Sequence, residues 1–290
     1  MGFFARRWVV TGVVSVAAAG VAGTVGQIGA ASATGSGSAR SAAAAAGFAR
    51  AVGAGAASVR NPSGTTLSGR VPGSVYVPTI RTLYFGSHGP AVKALQQRLS
   101  YLHYYVGRAD GTFGWDTLEG VWAFKEVQSG KIQPRNPNAV GPTMQRQLVH
   151  PKLPKVLHSR GGPWRIEINK RIEVLVLYRD DKVRLITHVS SGGGYYYCSP
   201  HGGGCGYAIT PDGRYRTLSF APGNITVPLG QMFNPVFFIG RAYAIHGEPN
   251  GAVPLYPASH GCVRIPWDLA VWFHRVVRLG PHGTPVFISG

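Results

Sequence analysis

Hydrophobic positions along the 290-residue chain fall into distinct regimes. Trp8 to about Val25 is an uncharged Val/Ala/Gly run. Beyond it, large apolar residues nearly vanish in favour of Ala, Gly and Ser. Such a stretch buries too little surface to offset its ordering entropy, which predicts a disordered linker over residues 34–80. Apolar residues then return with helical spacing. Val92, Leu95, Leu99 and Leu102 share one face, and Leu118, Val121, Trp122 and Phe124 form another. Asp110-Gly111 reads as the turn between them, with Asp116 or Thr117 as cap of the second helix. "GPTMQRQL" predicts a short third helix closing near His150. Pro151, Pro154 and Gly161-Gly162-Pro163 mark a second linker, 151–163.

From Trp164 the period changes from helical to alternating. Ile166/Ile168 and Val174/Val176/Tyr178 lie on one face of successive strands, and Asp180-Asp181-Lys182 makes a polar hairpin turn into Val183, Leu185 and Thr187. "RYRTLSF", "PVFFIG", "YAIHG" and "PVFIS" are further short strands. One late helix is expected over Pro266–Val277, because proline suits a first turn and Leu269, Trp272, Phe273 and Val276 recur helically. The pattern therefore predicts two domains: a small all-α three-helix unit, 81–150, and a mostly-β unit with one late helix, 164–290.

Charge narrows the partners. With 29 Lys and Arg against 11 Asp and Glu, the net charge is +18. Such a balance suits an anionic partner such as a cell-wall polymer. No basic helix and no zinc-finger or aromatic RNA-binding motif is present, so nucleic acid is not expected. Arg6-Arg7, the apolar run and Ala31-Ser32-Ala33 follow the order of an export signal, predicting a signal peptide over 1–33 and work in the extracytoplasmic space. Cleavage, or retention as a membrane tether, both remain open, as do ordinary and twin-arginine export.

Three cysteines carry the candidate chemistry. Cys198 and Cys205 bracket a glycine-rich loop, and in an exported chain a disulfide is the natural reading. Zinc through Cys198, His201 and Cys205 lacks an evident fourth ligand. Cys262 is then the odd thiol, set in "YPASHGCVRIPWDLA". Upstream, "YAIHGEPN" ends an apolar strand on His246, and the intervening loop is long enough to return the chain beside it. At an ordinary pKa of ~8.5 only a few per cent of a thiol is ionised at neutral pH, and a neighbouring imidazolium would raise that share. Backbone N–H groups at Gly261 and Cys262 are candidate oxyanion donors. Bland alternatives stand beside these readings. Cys262 has an alternative reading as a buried apolar thiol or disulfide partner, His260 reads as a structural donor, Arg264 as a surface charge or a group that fixes a substrate carboxylate or the loop, and Asp268 as a helix-start carboxylate.

Two resemblances add to this reading. "GSHGPAVKALQQRLSYL…DGTFGWDTLEGVWAFKEVQ…VGPTMQRQL" resembles the small peptidoglycan-binding domain of bacterial wall enzymes. "IHG…YPASHGCVRIP", together with "VSSG" and "TPDGRYR", resembles the L,D-transpeptidase family over residues 164–290. That likeness implies Cys262 as nucleophile and His246 as its base, the imidazole held by the Gly247 carbonyl in place of a carboxylate. Ser259, His260, Gly261 and Arg264 would shape the pocket. It further implies a tetrapeptide stem as acyl donor, a diamino-acid side-chain amine as acceptor, a 3→3 link, acylation of Cys262 by carbapenems, and no metal or organic cofactor. Hydrolysis at the same site, an L,D-carboxypeptidase, and a non-catalytic wall-binding protein are the alternatives. Two positions depart from the pattern: the His246-to-Ser259 gap is short, and Trp267 stands near where Asn is common. With every candidate catalytic group outside residues 81–150, the helical unit is expected to be separable from turnover.

Overall fold

The computed structural model describes residues 72–159, 161–200 and 204–290. The expected signal peptide, most of the expected linker and His201 lie outside these residues. No helix among the described residues is long and apolar enough to cross a membrane.

Three helices come first: α1 (Pro90–Tyr101), α2 (Trp115–Ser129) and α3 (Pro142–Val149). Proline in the first turn of α1 and α3 presets φ where no intrahelical N–H bond is missed. Gly130 ends α2 in the left-handed conformation, φ 69°. Neither Asp116 nor Thr117 caps α2. Its N-cap is Gly114, because the Gly114 carbonyl already accepts the Leu118 N–H at 3.0 Å. Thr117 instead accepts a bond from Gln96 Nε2 at 2.9 Å. A two-stranded ribbon, β1 (Leu83–Tyr84) with β2 (Ala139–Val140), ties the ends of this region together.

Residues 72–80, expected as linker, are anchored at a few points although most of them are exposed. Tyr76 is buried in the helical core, and Arg98 Nη1 donates to the carbonyls of Gly73 and Ser74. The proline- and glycine-rich stretch from 151 is also held. Lys152 N–H donates to Gln128 Oε1 at 2.8 Å, and Leu157 N–H to Glu167 Oε2 at 2.7 Å.

The remainder is built on two sheets. One runs in the order β5 (Lys182–His188), β4 (Val174–Arg179), β3 (Trp164–Asn169), β14 (Pro285–Ser289), β8 (Gly213–Arg216). A two-residue turn joins β4 to β5, with Asp180 and Asp181 both near φ +50°. The primed turn twists with the strands, and Asp tolerates it. The second sheet runs β10 (Asn224–Val227), β11 (Gly230–Ile239), β12 (Tyr243–Gly247), β13 (Val263–Ile265), with β9 (Ser219–Phe220) also on β11. A separate ribbon pairs β6 (Tyr196–Cys198) with β7 (Cys205–Tyr207). Helix α4 (Trp267–Phe273) is shorter than expected, because Arg275 N–H and Val276 N–H bond three residues back and tighten the chain into turns.

The sheet containing β4 is buried on both faces, which explains the unbroken run "VLVLY". Leu175 and Leu177 join Ile166, Ile168, Val236, Ile245 and Val263 between the sheets. Val174, Val176, Tyr178 and Ile186 join Leu95, Leu99, Val121 and Phe124 in a core shared with the helices. A backbone ladder reinforces that junction: Tyr105 N–H donates to the Ile186 carbonyl, and Ile186 N–H to that of His103, both at 2.8 Å. This shared core argues against a separable helical unit. Its helices form the third layer over the sheet.

Candidate active site

Strands β12 and β13 run parallel with Ile245 opposite Val263 and His246 opposite Arg264. Ile245, Val263 and Ile265 enter the core between the sheets. Alternation along a strand therefore turns Ala244 and His246, and Cys262 and Arg264, toward the opposite face. The two candidate catalytic side chains thus share one face of adjacent strands, His246 at the end of β12 and Cys262 at the entry to β13.

His246 is buried, and its Nδ1 donates to the Gly247 carbonyl at 2.9 Å. A carbonyl accepts only, so the proton sits on Nδ1 and Nε2 keeps its lone pair. Burial pushes the imidazole down to about 4. The Gly247 bond opposes that shift, and the Arg264 charge adds to it. Gly247 permits close packing, since a β-carbon there would stand 2.9 Å from Ala270 Cβ and 3.0 Å from the Phe233 ring.

Cys262 is half-buried. Its Sγ lies 3.9 Å from Met232 Sδ and 3.8 Å from the Ala242 carbonyl. Burial raises the thiol pKa, with partial opposition from the Ala244 backbone and Arg264. Both shifts favour a neutral thiol beside a neutral imidazole. These directions run against the expected thiolate–imidazolium pair, because the sheet surface that places the two groups also removes them from water.

Ser259 organises the turn before the cysteine. Its Oγ accepts the Gly261 N–H at 3.0 Å and donates to the Cys262 carbonyl at 2.5 Å. The Gly261 N–H is therefore engaged and unavailable as an oxyanion donor. Gly261 adopts φ +138°, and a β-carbon there would meet the Tyr243 ring at 2.6 Å and the Ile209 carbonyl at 2.9 Å. The Gly261 carbonyl accepts from Thr210 Oγ1 at 2.7 Å, which ties in the segment "TPDG". Arg264 Nη1 stands 3.2 Å from Glu248 Oε2. The His260 ring meets the rings of Tyr195 and Tyr197 edge-on, at 5.4 and 4.8 Å. Tyr195 precedes and Tyr197 lies within the β6–β7 ribbon, which the Cys198–Cys205 disulfide closes. Trp267 stacks flat on Phe233, ring centroids 3.5 Å apart, and Asp268 lies in the first turn of α4.

Sequence reasoning missed the support beneath this turn. Glu173, buried and at φ +49°, accepts from Ser191 Oγ at 2.7 Å and from Ser191 N–H at 2.5 Å. The Ser191 carbonyl in turn accepts the N–H groups of Ala258 and Ser259, each at 3.0 Å. Burial pushes the Glu173 carboxyl up to about 7 against the pull of those Ser191 bonds. The available signal was an acid at the head of the apolar run "VLVLY", where a solvated glutamate has no reason to sit. A cavity of about 430 Å³ lies elsewhere, on the helical region, lined by Tyr84, Lys125, Arg135, Asn136, Thr143 and Met144 among others.

Residues 163–288 match the L,D-transpeptidase catalytic domain, and residues 88–129 match a peptidoglycan binding domain. The chain is similar to the solved L,D-transpeptidase (residues 123–326) from Xylanimonas cellulosilytica DSM 15894. The two share 34% identity at a TM-score of 0.64, over 73% of this chain and 100% of that one. An L,D-transpeptidase from Stackebrandtia nassauensis shares 17% identity over 74% of this chain and 97% of its own, TM-score 0.41. One from Mycobacterium tuberculosis H37Rv shares 18% over 44% and 58%, TM-score 0.35. No curated protein matches the chain. A two-sheet β region matching that catalytic domain, together with a helical region matching a peptidoglycan binding domain, marks a peptidoglycan-acting enzyme. The chain belongs to the L,D-transpeptidase family.

Proposed function

We propose that the protein joins peptidoglycan stem peptides by 3→3 cross-links through a thioester on Cys262. Sγ attacks the carbonyl of the third residue of a donor tetrapeptide, and the Sγ proton passes to His246 Nε2. The C–N bond to the terminal D-Ala breaks, and the departing amine takes the proton from the imidazole. The side-chain amine of a neighbouring stem then attacks the thioester, forming the new amide and returning the thiol. The observation that carries this reading is the Nδ1–Gly247 carbonyl bond, which leaves the lone pair of a buried imidazole on the face that Cys262 shares.

With thiol and imidazole both neutral at rest, the proton moves as sulfur attacks rather than beforehand. The Cys262 N–H is the remaining candidate for the oxyanion, since that of Gly261 is taken by Ser259. Arg264, half-buried beside Glu248, is suited to a substrate carboxylate. The cavity on the helical region, with Lys125 and Arg135 in its lining, suits the carboxylate-bearing polymer, and such a substrate implies work outside the cytoplasm.

The test is incubation of the mature protein with a disaccharide-tetrapeptide, products read by mass. A dimer that has lost one D-Ala supports transfer. Tripeptide alone, with acceptor in excess, makes the enzyme a carboxypeptidase, and no product at all leaves a wall-binding protein. A carbapenem adduct on Cys262→Ser would overturn the assignment of the nucleophile.

A further inference from the structure

The loop from Glu248 to Ala258 connects the strand that carries His246 to the turn that carries Cys262, and its two ends are held by the β region. Glu248 N–H donates to the Ile265 carbonyl at 3.0 Å, and Ser190 Oγ donates to the Tyr256 carbonyl at 2.7 Å. Its middle is held by helix α2. Glu119 Oε1 accepts the Val253 N–H at 2.6 Å in a fully buried contact. One residue on, the Pro254 carbonyl faces His188 Nε2 at 3.0 Å, while Nδ1 of the same ring faces Glu126 Oε2, also at 3.0 Å. Trp122, between the two glutamates in sequence, meets the His188 ring edge-on at 5.4 Å. Ala252 and Leu255 pack on the core that the helices share with the sheet.

Glu119 and Glu126 are seven residues apart, two turns of one helix, so both face the same side. Buried acids are costly unless a partner requires them. Here the partners are a backbone N–H of the loop and an imidazole that reaches its neighbouring carbonyl. Proline 254 has no N–H of its own, and the preceding N–H is the one Glu119 takes.

We propose that Glu119 and the Glu126–His188 pair are positioning residues for acyl transfer. Helix α2, which lies wholly inside the match to a peptidoglycan binding domain, is then part of the catalytic apparatus through the loop it holds. None of the three touches the reacting atoms. They set where the loop returns the chain, and hence the registry of Ser259 and Cys262 against His246. A displacement of about 1 Å at such a site costs on the order of 100-fold in rate. The inference rests on the proposed Cys262–His246 chemistry, so its test has an arm that does not use that chemistry.

The full chain is compared with Glu119→Ala and Glu119→Gln. The Gln amide oxygen still accepts the Val253 N–H, whereas Ala cannot. Hydrogen exchange of peptides covering 248–259 is read beside kcat, KM and the rate of carbapenem adduct formation. Glu119→Ala is expected to lose exchange protection over 252–259 and to lower kcat and adduct rate by roughly 10- to 100-fold, with KM nearly unchanged. Glu119→Gln is expected to restore both. An unchanged adduct rate in Glu119→Ala, or a slowed one with wild-type exchange, overturns the proposal. Should Glu119→Ala not fold, wild-type exchange decides. Protection of 252–259 that falls together with that of α2 as denaturant is added supports the coupling, and independent opening overturns it. A wild-type protein that forms no adduct refutes the chemistry, while the exchange arm still reads the coupling.

Discussion

Glu126 Oε2 and His188 Nδ1 stand 3.0 Å apart with neither side chain reaching solvent. Burial alone would lower the imidazole, but the facing Glu126 carboxylate and the Pro254 carbonyl push His188 up to about 9. Burial raises Glu126 as well, against the pull of His188. Both shifts have the folded pair hold a proton that the unfolded chain releases sooner. The stability His188 contributes is therefore complete below pH 6.5 and lost as pH rises through about 9. Lys125, pushed down to about 8 by burial, acts in the opposite sense only above that pH. Between pH 6.5 and 8 the Tm is expected to fall, by ~2–4 °C for each ~1 kcal/mol lost. Glu126→Gln is expected to flatten that slope, and equal slopes in calorimetry would show that the pair is not its source.

Alkylation of Cys262 reads the resting state of the site. Burial raises the Cys262 thiol and lowers the His246 imidazole to about 4, and both directions oppose ionisation at neutral pH. Iodoacetamide is therefore expected to react slowly at pH 7 and faster as pH passes the ordinary thiol range of ~8.5. Fast, pH-independent alkylation from pH 6 upward would instead reveal a preformed thiolate pair.

Ser259→Ala tests the turn. It removes a hydroxyl that bonds both Gly261 N–H and the Cys262 carbonyl. A buried N–H left unpaired costs about 1–3 kcal/mol. We expect a lowered Tm and carbapenem adduct formation slowed by roughly 10- to 100-fold, on the same argument from misplacement. Adduct kinetics at the wild-type rate would show that the turn holds its shape without the hydroxyl.

Deletion of residues 72–150 is expected to leave no folded enzyme. It would expose the sheet face formed by Val174, Val176, Tyr178 and Ile186, all buried against the helices. At about 1.5–3 kcal/mol for each side chain, the loss approaches the whole stability of a typical domain, ~5–15 kcal/mol. A truncated protein with a cooperative melt and wild-type turnover of a small stem peptide would refute this.

Local pattern determined much of the molecule. Helical spacing from Val92 to Leu102 and from Leu118 to Phe124, the Asp180-Asp181 turn and the apolar strand leading to His246 all depend on near neighbours, and the structure has each of them. Cys262 stands out as the odd thiol and His246 by its place at a strand end, while Ser259, His260, Gly261 and Arg264 are marked as pocket residues by the family resemblance. Tertiary structure decided what depends on contacts between distant residues. The face a strand turns to a second layer is not written in its own period, so "VLVLY" showed burial without showing by what. Glu119, Glu126 and Glu173 gain their partners only when folding brings Val253, His188 and Ser191 to them. The protonation of Cys262 and His246 was likewise undetermined by spacing, because desolvation is a property of the packed site.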